Sequence, residues 1–167
     1  MSTNVGFIGF GLIAGALAHA LKESGKDYHI IATSRHLEPV NMAVTDGIVD
    51  EAASVVDNTF AKCDIIVLCT PVITITEYME KLKGIVRSDC IITDVGSVKT
   101  IIHEAAGSLG LDSQFIGGHP MAGSEKTGYK NSSSSIIRGA KYIITPTQLS
   151  KPDKIELMKQ FALDVGM

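Results

Sequence analysis

The chain contains no tryptophan, and only 5% of its 167 residues are aromatic. That composition is ordinary for a soluble α/β protein rather than a disordered or fibrous one, and a formal charge of −3 gives no electrostatic reason to expect nucleic acid as a partner. Cysteine is sparse. Cys63, Cys69 and Cys90 are odd in number and lack C-x-x-C spacing, which argues against a disulfide framework or a zinc site, so no metal is expected and a reducing cytoplasm fits best. Long apolar runs are missing too. None approaches the roughly 20 residues that cross a bilayer, and the apolar N-terminus has no basic leader and is broken by Gly6, Gly9, Gly11 and Gly15, unlike a secretory signal. Internal repeats are absent.

What is present is 45% hydrophobic and 20% charged, the balance of a soluble α/β chain long enough for one core. Short apolar runs at Val5–Ile8, His29–Thr33, Ile65–Cys69, Ile91–Thr93, Gln114–Ile116 and Tyr142–Thr145 read as buried strands. Helical segments between them are expected from Ile13, whose partners Leu17, Ala20 and Leu21 share its face, and near Leu37–Thr45, Ala53–Ala61, Thr74–Lys83, Val98–Ser108 and Pro152–Asp164. The alternation predicts an α/β fold with a doubly wound, mostly parallel sheet. The serine-rich patch Asn131–Ser135 is expected to be a mobile loop.

The segment Gly9-Phe10-Gly11-Leu12-Ile13-Ala14 follows the first strand and opens the first helix. A G-x-G-x-x-G/A pattern in that setting binds a dinucleotide. Gly9 permits a tight turn, Gly11 lets the backbone approach the diphosphate, and Ala14 with Gly15 allows close helix–strand packing. The N–H groups beginning at Leu12 and Ile13 face the anion with the positive end of the helix dipole. Residues 1–167 thus read as one Rossmann-type dinucleotide-binding domain.

An acid about 20 residues farther on would bind the adenosine 2′-hydroxyl of NAD. Here the second strand ends in Ser34-Arg35. A hydroxyl and a guanidinium suit a 2′-phosphate, making NADP the preferred cofactor with NAD possible; the lesser alternative for Arg35 is a solvated loop residue. Thr70-Pro71, at a later strand end, lines the cofactor groove or simply starts a helix.

Polar residues also gather at Thr93-Asp94-Val95-Gly96-Ser97-Val98-Lys99 and at Gly117-Gly118-His119-Pro120-Met121-Ala122-Gly123-Ser124-Glu125. His119 suits proton transfer near neutral pH, and its glycine and proline neighbours predict a shaped loop. His19, His29, His36 and His103 read as structural or exposed.

Gly96-Ser97-Val98-Lys99 followed by Gly118-His119-Pro120-Met121-Ala122-Gly123-Ser124-Glu125, with the glycine turn and Gly139-Ala140-Lys141-Tyr142-Ile143-Ile144-Thr145-Pro146, resembles the prephenate dehydrogenase family over nearly the whole chain. The resemblance implies nicotinamide-dependent oxidative decarboxylation of prephenate to 4-hydroxyphenylpyruvate, or of arogenate to tyrosine. It makes His119 the proton acceptor and Ser97 the residue that orients it or the substrate hydroxyl, with Ser124 and Glu125 at the substrate entrance. Glu125 could instead be a solvated carboxylate, and Lys99 either attracts a carboxylate or opens a helix. Family members continue into a helical domain that dimerises and supplies an arginine for a substrate carboxylate; this sequence contains neither. A reductase of the β-hydroxyacid type would share the glycine turn but use another base, commonly a lysine from a later domain. A non-catalytic NAD(P)-binding module is the third reading.

Overall fold

A computed structural model describes residues 2–167. In chain order the elements are β1 (Thr3–Ile8), α1 (Leu12–Glu23), β2 (Tyr28–Thr33), α2 (Glu38–Thr45), β3 (Glu51–Ala52), β4 (Ile65–Leu68), α3 (Val72–Leu82), β5 (Ile91–Asp94), α4 (Thr100–Leu109), β6 (Ile116–Pro120), β7 (Tyr142–Pro146) and α5 (Pro152–Asp164). Five strands form a parallel sheet in the order β3-β2-β1-β4-β5. The order reverses between β1 and β4, and such a switch point opens a crevice at the carboxyl ends of the strands.

Successive side chains on a strand point to opposite faces, and the core divides accordingly. Val5, Phe7, Ile65 and Val67 join α1, α2 and α5 on one face; Ile8, Ile66 and Leu68 join α3 and α4 on the other. Both faces are covered, which is why the strands read as unbroken apolar runs and why the sheet is doubly wound. Local signals set the helix ends. Pro152 occupies the first turn of α5, and Gly110 ends α4 at φ +69°.

Five local expectations are corrected. The segment expected to be helical at Ala53–Ala61 carries only a 3-10 turn, Asn58–Lys62, capped by the Asp57 carboxylate, which accepts from Thr59 N at 2.9 Å. Phe60 in that turn is buried against Gly6 of β1, where a Cβ would lie 2.9 Å from the ring. Around Gln114–Ile116, only Phe115 bridges to Ile92 of β5; the strand proper begins at Ile116 and runs antiparallel to β7, pairing His119 with Ile143. His119 therefore sits on a strand, not in a loop. Finally, the serine patch is docked on α1. Ser134 is buried and donates to Glu23 at 2.6 Å, while Tyr129 is buried and donates to Asp46 at 2.8 Å. Gly15 serves this contact rather than helix–strand packing, since a Cβ there would lie 2.3 Å from Ser132 Oγ.

Candidate functional site

The β1–α1 turn is shaped by backbone. Gly9 has φ +86°, a conformation that disfavours any side chain, and its N–H donates to Thr33 O at 2.9 Å. A Cβ on Gly9 would lie 2.5 Å from Thr70 Cγ2 and 2.9 Å from Cys69 O, so the β1 and β4 ends can meet only through glycine. Gly11 differs. It caps α1, and a Cβ there would meet nothing within 4 Å, so its outer side is open.

That open side faces a cleft of about 320 Å³ at the switch point, and the structure brings Gly9, Gly11, Ser34, Arg35, Thr70 and Pro71 together along it. His36, Thr74 and Tyr78 also line it. The sequence reading missed them: His36 follows Arg35 directly, a usable signal, whereas Thr74 and Tyr78 enter from α3. Past Gly11 the cleft continues into a wider depression of about 880 Å³ over Leu12, Ile13 and Ala14, bounded opposite by Val95, Lys126 and Thr127. Three observations suit this cleft to a dinucleotide. The first turn of α1 contains no acidic residue, the buried Thr70 Oγ1 has no hydrogen-bond partner, and Arg35 is exposed and makes no ion pair among the described residues.

The second polar region joins the ends of β5 and β6. Asp94 is fully buried. Its carboxylate accepts from Gly96 N at 2.9 Å, from Gly118 N at 3.2 Å and from the Lys99 ammonium. Lys99 in turn donates to Gly118 O at 2.6 Å. Burial pulls the Lys99 pKa below its ordinary value, with Asp94 opposing that shift. The sequence reading left Lys99 unassigned and passed over Asp94, whose partners lie up to 24 residues away.

His119 is half-buried on β6, and Ser97 is exposed after β5. No hydrogen bond joins them among the described residues. Ser124 and Glu125 are exposed in the segment after β6, where Ser124 Oγ accepts from Lys126 N at 3.1 Å. None of these four lines the cleft itself. Among the described residues no cluster of histidine, cysteine and carboxylate could hold a metal, and no helix is long and apolar enough to cross a membrane.

A parallel, doubly wound sheet with a glycine cradle at its switch point defines a Rossmann-type nucleotide-binding domain. The sequence model of the family described as "Prephenate dehydrogenase, nucleotide-binding domain" matches residues 17–167. The chain belongs to this family. It is 34% identical over 141 residues to a prephenate dehydrogenase of Lactococcus lactis, covering 83% of this chain and 39% of the relative. Among solved structures it is similar to a prephenate dehydrogenase from A. aeolicus in complex with hydroxyphenyl propionate and NAD+, with TM-score 0.89 and 35% identity over 98% of this chain and 57% of that one. A Synechocystis arogenate dehydrogenase superposes with TM-score 0.91 and 34% identity over 99% of this chain and 58% of that one. The chain thus spans roughly half the length of these relatives.

Proposed function

We propose that residues 1–167 act as one dinucleotide-binding domain of an oxidoreductase that decarboxylates prephenate or arogenate in tyrosine biosynthesis, in the cytoplasm. The observation that carries this reading is the joining of the Gly96–Lys99 turn to the His119 strand at the same sheet edge as the glycine cradle. A nicotinamide dinucleotide, when bound, supplies the hydride acceptor. The Gly9–Ala14 turn would hold its diphosphate through backbone N–H groups, with Thr70 and Pro71 lining the groove and Ser34 and Arg35 meeting the adenosine end.

Arg35 favours NADP over NAD, because its guanidinium can pair bidentately with a 2′-phosphate where an acid would repel one. His119 accepts the proton of the ring hydroxyl as hydride leaves the carbon bearing it, and loss of the ring carboxylate as carbon dioxide restores aromaticity. Ser97 orients that histidine or the hydroxyl. Ser124 and Glu125 meet substrate at the entrance. Similarity to relatives named for prephenate and for arogenate leaves both substrates as arms of one assay.

The test is turnover of each substrate with NAD and with NADP. Oxidation of one substrate, faster with NADP, supports the reading; turnover of neither overturns it. Because His119 does not line the cleft, a second reading is a non-catalytic NAD(P)-binding module. Cofactor binding without turnover of either substrate selects it.

A further inference from the structure

We propose that Asp94 and Lys99 are positioning residues that aim His119 by clasping Gly118 from both sides. The inference rests on reading His119 as the proton acceptor. Among the described residues, the parallel main-chain pairing that leads into β6 is a single bridge from Phe115 to Ile92 of β5, after which β6 pairs with β7. Side chains take over from there. Asp94 accepts the Gly118 N–H and Lys99 donates to the Gly118 carbonyl, so both polar groups of the residue preceding His119 are held. The Cα between them has no latitude either. A Cβ on Gly118 would lie 2.4 Å from the Tyr142 hydroxyl, 2.7 Å from Asp94 O and 2.9 Å from Thr93 Oγ1.

Buried ion pairs add little to stability compared with packed apolar residues, because desolvation offsets most of their attraction. A pair that directs its hydrogen bonds to two backbone segments is better suited to fixing geometry than to holding the fold together. Asp94 also takes the Gly96 N–H, so one carboxylate ties the turn bearing Ser97 to the strand bearing His119. Removing one charge would leave the other buried and unpaired, at a large cost in stability. The informative variant therefore removes both.

The experiment compares wild type with the double variant Asp94→Asn, Lys99→Met by carbon relaxation of the histidine rings, Gly118 amide exchange, cofactor affinity and turnover. We expect cofactor affinity to hold, Gly118 exchange to quicken, and the His119 ring to gain motion while His19 and His103 do not. Turnover should fall about 10- to 100-fold, the scale of a misplaced catalytic group, with no further loss when His119→Asn is added. An unchanged His119 ring alongside quickened Gly118 exchange overturns the proposal, as does a loss of turnover that adds fully to that of His119→Asn. Should the double variant not fold, the ring measurement on Lys99→Arg, which keeps both charges but changes the donor that reaches the Gly118 carbonyl, decides in the same way. If wild type turns over neither substrate, or His119→Asn is fully active, the catalytic reading falls while ring motion still decides whether the clasp aims His119.

Discussion

The two turns at the carboxyl edge of the sheet are made by opposite means. Between β1 and α1 no side-chain hydrogen bond is found among the described residues; the turn is glycine geometry, with Gly9 at φ +86° pressed against Thr70 and Cys69. The β5–α4 turn is held by a buried carboxylate and an ammonium that reach across to β6. A backbone-built turn leaves free N–H groups facing outward, which suits an anion that must be met by the main chain. A side-chain clasp leaves the backbone committed inward. It suits a place where one neighbouring side chain must point in a set direction.

The sharpest way to separate the two regions is to remove the histidine. His119→Asn should lower turnover by roughly 10²–10⁴-fold while leaving cofactor affinity, measured by fluorescence titration, unchanged. An equal loss of affinity would merge the two regions into one site. Gly9→Ala should do the reverse. Positive φ and a Cβ 2.5 Å from Thr70 should destabilise the fold by on the order of 1–3 kcal/mol or more, seen in the thermal midpoint, and cofactor binding should fall with it. Unaltered stability would mean that the turn is not held as described.

Arg35→Ala refines the cradle without deforming it. Losing a charged hydrogen bond should weaken NADP about 10- to 100-fold and NAD hardly at all; a retained NADP preference would remove Arg35 from the site. The smallest effect is expected away from both turns, at Asp50. Burial raises its pKa, but hydrogen bonds from Lys22 and from Ile30 N at 2.7 Å outweigh this and hold it below the ordinary carboxylate value. A carboxyl lowered by folding contributes stability that is present above its unfolded pKa and lost as pH falls through the folded value. The wild-type melting midpoint should therefore drop on acidification below about pH 4, and Asp50→Asn should flatten that drop without changing affinity or turnover at neutral pH. A steeper drop in the variant would contradict this.

The contrast between the turns also explains what was legible in the sequence. Gly9 and Gly11 answer to local backbone needs within a strand–turn–helix, so the turn, the carboxyl end of β1 at Ile8 and the opening of α1 could be read directly. Pro152 marked the start of α5 for the same local reason. Asp94, by contrast, has its meaning only when Gly118 arrives beside it, and His119 seemed to lie in a loop because Gly117 and Gly118 look like turn residues. In the fold they are flat spaces filled by Thr145 and Tyr142 of β7. The serine patch was misread because composition does not show that Ser134 meets Glu23, 111 residues away.

Gly11 offers the most direct test, because, of the two glycines in the cradle, it is the one whose side-chain space is empty, whereas that of Gly9 is filled. Calorimetric titration of NADP into wild type and Gly11→Val, with melting curves on both, asks whether the open face of that residue is where the dinucleotide lies. The account predicts a wild type that binds and a variant that melts near the wild-type midpoint but shows no binding. A variant that binds NADP as tightly as wild type would contradict it.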